Sequence, residues 1–127
     1  MNLFNDISSQ KALYRAYTAS QKIPDLENFT EFNLIRANMT DPVFKKIGAF
    51  NFGYDFNFVL TTGNDFTKLI NSNLLFEFII NVGGTNIRVG DETGLIISSI
   101  IPPSLESNYF VYTFSTAKPQ KEFVVLT

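Results

Sequence analysis

Glu77 stands between Phe76 and Phe78, and a carboxyl among rings is the first group here whose type suggests chemistry. Two suitably spaced carboxylates hydrolyse glycosides without help from histidine or cysteine. Strand alternation, however, sets Glu77 on the face opposite its aromatic neighbours. A hairpin closed at Gly83-Gly84 makes Arg88 its diagonal neighbour on that face. A cross-strand ion pair, worth ~0.2–1 kcal/mol, is the simpler reading. Glu77 is therefore given no catalytic role.

Other chemistries fall on composition. The chain of 127 residues has no His and no Cys. That removes a Ser-His-Asp triad, thiol nucleophiles and zinc sites of the His/Cys type. Gly83, Gly84 and Gly90 do not form a phosphate-cradling G-x-G-x-x-G, and no G-K-[ST] is present. Asp91-Glu92-Thr93-Gly94 carries one residue too many for the D-[TS]-G of an aspartic protease, and reads as a polar turn. Asn86, Asp91 and Glu92 are oxygen ligands of the kind calcium takes, but three from one turn are too few for a site. No catalytic, cofactor-binding or metal-binding residue is assigned, and no cofactor is expected.

The elements that position these residues are mostly strands. Residues 1–20 read as an amphipathic helix capped by Asp6 or Ser8, with Ile7, Leu13, Tyr14 and Tyr17 near helical spacing. Pro24 then bars its continuation. From Phe29 the period becomes two: Phe32 and Leu34 alternate with Glu31 and Asn33. Phe50, Phe52, Tyr54, Phe56 and Phe58 form an aromatic comb facing Asn51, Gly53, Asp55 and Asn57. A row dominated by Phe reads as core rather than as a binding platform, because Phe has no polar handle.

Asn64 caps a helical turn over Phe66–Ile70. Leu74–Val82 then turns back at Gly83-Gly84, which pairs Ile80 with Ile87 and Phe78 with Val89. Further strands cover Leu95–Ile101, stopped by Pro102-Pro103, then Tyr109–Ser115 and Phe123–Leu126. The expected fold is mainly β: an antiparallel β-sandwich or small barrel of about seven to eight strands with an N-terminal helix. Residues 1–28 form the helical arm and connector, and 29–127 the β domain.

Ten Lys and Arg against 12 Asp and Glu give a net charge of −2. No concentrated positive patch for a nucleic-acid backbone is evident. No apolar run approaches the ~20 residues of a membrane helix, and Met1–Asp6 lacks the basic and apolar regions of a secretory signal. Neither nucleic acid nor membrane is expected as a partner, and synthesis is expected in the cytoplasm without secretion by signal peptide.

In general character this Phe-rich β domain with an arm resembles small structural proteins of bacteriophage particles: head-decoration, head–tail joining or tail proteins. The likeness is one of fold and carries no motif. It implies a non-enzymatic virion subunit, a homo-oligomer that binds copies of itself and neighbouring virion proteins. The arm residues Leu3, Ile7, Leu13, Tyr14 and Tyr17 would make those contacts. The alternative is a soluble binding module for a carbohydrate or peptide, using the loops around Asn86, Asp91 and Glu92.

Overall fold

The computed structural model of the chain describes residues 10–18, 29–40, 42–69, 74–91 and 93–126. They form ten strands: β1 (Gln10–Tyr17), β2 (Thr30–Met39), β3 (Val43–Lys46), β4 (Phe52–Asp55), β5 (Asn57–Thr62), β6 (Leu75–Val82), β7 (Thr85–Val89), β8 (Leu95–Ile101), β9 (Phe110–Thr116) and β10 (Val124–Leu126). A 3-10 turn at Thr67–Leu69 lies between β5 and β6. Six of the strands close an antiparallel barrel in the order β1-β2-β5-β9-β8-β6 and back to β1. Closure between β8 and β6 rests on one pair, Phe76 opposite Leu95. Beyond it, β7 and β10 extend the sheet away from the barrel, and β3 and β4 form a separate two-stranded hairpin.

The barrel is filled by the period-two apolar residues. Phe32 and Leu34 of β2, Phe58 and Leu60 of β5, Phe76, Phe78 and Ile80 of β6, and Tyr112 and Phe114 of β9 are all buried in one cluster. Phe78 sits at its centre, with ring centroids 4.8 Å from Phe114, 5.7 Å from Phe58 and 6.1 Å from Phe32. Burying each such ring contributes ~1.5–3 kcal/mol. A break in register between Leu34 and Arg36 lets β2 keep Ala37 and Met39 buried after the change of phase.

The β6–β7 hairpin has the register read from its glycines. Ile80 faces Ile87 and Phe78 faces Val89, with Gly83 at φ 59° and Gly84 at φ 88°.

The expected N-terminal helix is corrected over residues 10–17, which are the strand β1. It pairs with β2 from Gln10 to Tyr14 and with β6 from Leu13 to Tyr17. The physical reason is size matching inside the barrel. Ala12 faces Phe32 and Ala16 faces Phe76, so small residues make room for the rings opposite. Alanine favours a helix by propensity, but two neighbouring strands offer β1 more than an isolated helix gains. Because β1 completes the barrel wall, residues 10–17 belong to the β domain and not to a separate arm.

Candidate functional site

Two features stand out: a buried ion cluster on the outer wall and an apolar hairpin raised from one end. The cluster follows from alternation. With Ala12, Tyr14 and Ala16 turned to the core, Arg15 and Tyr17 take the other face of β1. With Phe76 and Phe78 inside, Glu77 takes the outer face of β6. Arg15 lies directly opposite Glu77, and Arg88 of β7 lies opposite Ile79. Glu77 Oε1 accepts hydrogen bonds from Arg15 Nε at 3.1 Å and from Arg15 Nη2. Its Oε2 accepts one from Arg88 Nε at 2.9 Å and lies 2.7 Å from Arg88 Nη2.

Although the cluster lies on the outer wall, Glu77 is 0% exposed, Arg15 4% and Arg88 7%. Phe29 helps to cover it, with its ring centroid 4.7 Å from the Arg15 guanidinium carbon and 5.6 Å from that of Arg88. The Tyr17 ring lies 5.5 Å from the Arg15 guanidinium. Cation–π attraction of this kind is worth ~0.5–2 kcal/mol, most where water is excluded.

Tyr17 is itself buried, and its hydroxyl has no hydrogen-bond partner among the described residues. Burial foremost, then the Glu77 carboxylate, pushes its pKa up to about 12, while Arg15 and Arg88 pull the other way. Both Glu77 oxygens are engaged by guanidinium N–H groups, so the cluster locks β1, β6 and β7 together. The expected Glu77–Arg88 diagonal pair is present. What sequence reasoning missed is Arg15, hidden by reading 10–17 as helix.

The second feature is the β3–β4 hairpin. It joins the barrel through Asp55 and Phe56 and is pinned there by Gln120, a fully buried side chain. Tyr54 and Gln120 exchange backbone hydrogen bonds of 2.8 and 3.0 Å. The Gln120 side chain donates from Nε2 to the carbonyls of Gly94 (2.9 Å) and Lys118 (3.2 Å). The tip is closed by Asn51, whose carbonyl accepts from the Ile47 and Gly48 amides at 2.8 and 3.2 Å.

On one face of this hairpin Phe44 stacks on Phe52 at 5.1 Å, beside Tyr54 at 5.3 Å from Phe44. Alternation puts Lys46 on the same face. Val43, Phe44, Ile47 and Phe52 are all exposed, and Phe50 at the tip is 92% exposed. The aromatic comb is thus divided. Phe56 and Phe58 are core, whereas Phe50 and Phe52 are surface, which corrects the expectation that the whole row is buried. The adjacent Lys45-Lys46 pair just before the comb is the sequence signal that marks this segment as a projecting one.

Under the hairpin a shallow groove of about 550 Å³ includes Thr40, Asp55, Asn57, Ser115 and Thr116. Its polar groups bind one another. Thr116 Oγ1 donates to Asp55 Oδ1 (3.1 Å), Ser115 Oγ to Asn57 Oδ1 (2.8 Å), and the Asn57 amide to Thr40 Oγ1 (3.0 Å).

The sequence-selected residues are scattered. Leu3, Ile7 and Glu92 lie outside the described residues. Leu13 is half-buried on the outer wall, Tyr14 packs into the barrel against Phe32 and Phe66, and Tyr17 flanks the ion cluster. Asn86 and Asp91 stand near opposite ends of β7, and the Asn86 Oδ1 accepts from Asn81 Nδ2 at 3.1 Å. Among the described residues no group of three or more acidic side chains gathers as a metal would need. No protein-family model, curated protein or solved structure matches the chain.

Proposed function

We propose that the chain is a non-enzymatic structural subunit of a large protein assembly, in its finer form a bacteriophage virion protein of head-decoration, head–tail joining or tail type. One observation carries the proposal: the β3–β4 hairpin holds the stacked pair Phe44 and Phe52 out in solvent, with Phe50 exposed at its tip. Contiguous exposed apolar surface is uncommon on proteins that act alone and marks a contact with another protein or a membrane. The hairpin is also fixed in position by Tyr54 and Gln120, so little order remains to be imposed when a partner binds. In this reading the partners are copies of the chain and neighbouring virion subunits, without nucleic acid, membrane, cofactor or metal. The protein is made in the cytoplasm and resides in the particle.

The runner-up, a carbohydrate or peptide module, draws some support from the polar groove at Asp55, Asn57 and Ser115. Those groups already satisfy each other, which weakens the reading. Size fractionation of the native source, followed by mass spectrometry, tests the proposal. The chain is expected to migrate with a megadalton particle. A free monomer or small oligomer overturns it, and a glycan array on the isolated chain then tests the alternative.

A further inference from the structure

The hairpin is not the only exposed apolar surface. The turn between β8 and β9 carries Leu105 fully exposed, with Ile101 and Tyr109 exposed beside it. This turn is built as firmly as the hairpin tip. Ser104 and Ser107 exchange backbone hydrogen bonds of 2.8 and 3.3 Å. The Ser104 and Ser107 hydroxyls accept from the amides of Glu106 (3.2 Å) and Tyr109 (3.3 Å).

The two surfaces lie at opposite ends of the barrel. In the β5–β9 ladder Asn57 faces Ser115 and Thr62 faces Phe110. The hairpin enters at the Asn57 end, whereas residues 102–109 leave at the Phe110 end, about 17 Å away by strand rise. They are also opposite in charge: Lys46 shares the face of Phe44 and Phe52, while Glu106 follows Leu105. No ion pair joins Lys46 or Glu106 to another described residue.

From this arrangement we infer that the partner of the hairpin is a second copy of the chain, docked head to tail. Leu105 and Tyr109 of one copy rest on the Phe44–Phe52 face of the next, with Glu106 beside Lys46. This rests on the assembly reading above and names its contact. Different patches meet in such an interface, so it is heterologous and generates a ring if the rotation closes or a filament if it does not. A membrane is the rival target for a Phe- and Lys-bearing hairpin, but it leaves the matching apolar turn at the far end without a role.

Sedimentation velocity of the full chain at rising concentration reads the inference. The wild type is expected to form species beyond the dimer. Leu105→Ser and Phe52→Ser are each expected to weaken association about tenfold or more, with near-ultraviolet circular dichroism reporting that both remain folded. Leu105 is fully exposed, so its variant keeps the test open if the hairpin variant unfolds. Mixing the two variants should yield dimers and nothing larger, because only one intact hairpin meets one intact turn. Lys46→Glu should weaken association, and adding Glu106→Lys should restore it.

A wild type that stays monomeric overturns the inference, as does a Leu105→Ser variant that assembles normally. So does binding to anionic phosphatidylserine vesicles that Phe52→Ser abolishes while self-association is unchanged. A monomer that still migrates with a large particle in its source removes the self-contact but leaves the assembly reading. A monomer that runs free there removes both.

Discussion

Tyr54 and Gln120 face each other across an isolated antiparallel bridge, each amide donating to the other's carbonyl at 2.8 and 3.0 Å. This contact ties the β3–β4 hairpin to the segment that precedes β10. It requires the neighbouring residue to lack a side chain. A Cβ on Gly53 would lie 2.7 Å from the Gln120 nitrogen, 2.8 Å from the Pro119 carbonyl carbon and 2.9 Å from Ile47 Cδ1.

Gly53→Ala should therefore push the hairpin away from Gln120. Overpacking against backbone costs about 1–3 kcal/mol, and here the cost falls on the bridge. Urea denaturation should show the loss of stability. Hydrogen exchange should show faster exchange at the Tyr54 and Gln120 amides, with the β5 and β9 amides less affected. Unchanged exchange at both sites would mean the bridge does not hold the hairpin.

The ion cluster makes a quantitative claim about Glu77. An exposed cross-strand pair is worth only a few tenths of a kcal/mol to about 1. Glu77, Arg15 and Arg88 are buried, so removing the carboxylate strands two guanidiniums away from water. Glu77→Leu is expected to destabilise the fold by about 3–5 kcal/mol. A double-mutant cycle between Glu77 and Arg88 should return a coupling well above 1 kcal/mol. A coupling of a few tenths would show that water reaches the pair.

Tyr17 gives the alkaline limb of stability. Its folded pKa is raised from 10.0 to about 12, while the unfolded chain titrates near 10. The neutral hydroxyl's contribution is complete below pH 10. It falls as pH rises from 10 towards 12, because only the unfolded state then releases its proton, at a total cost on the order of 2 kcal/mol. Tyr17→Phe should abolish this part of the loss. At neutral pH it should stabilise the protein by about 1 kcal/mol, since a buried hydroxyl without a partner is removed. Absorbance at 295 nm follows the phenolate directly, and a wild-type titration complete by pH 11 contradicts the burial.

How much of this was legible depended on whether the signal was local. The Gly83-Gly84 hairpin was readable because turn type and register are decided within a few residues. The strand β1 was not, because both its faces are covered. Ala12 and Ala16 meet rings inside, while Arg15 and Tyr17 are buried outside, so no polar face betrays the period of two. Arg15 could be assigned to Glu77 only after the β1–β6 register was known. That pairing spans 62 residues, and no local pattern contains it. Likewise, alternation in the Phe50–Phe58 comb says that one face is apolar but not what covers it.

That comb supplies a final prediction, since two members of one sequence pattern should behave oppositely. The chain leaves strand geometry at Phe56, between β4 and β5. There the Phe56 amide donates to Thr116 Oγ1 at 3.4 Å and its carbonyl accepts from the Thr116 amide at 3.2 Å. Beyond this point Phe58 is fully buried, with its ring 5.7 Å from that of Phe78. Phe58→Ala opens a cavity in the barrel and should cost about 3–5 kcal/mol. Phe50→Ala removes a ring that touches mostly solvent and should change stability by less than about 0.5 kcal/mol. Urea midpoints of the two variants decide the matter. If Phe50→Ala destabilises the isolated monomer as much as Phe58→Ala, the hairpin packs on its own barrel and the surface proposed for assembly does not exist.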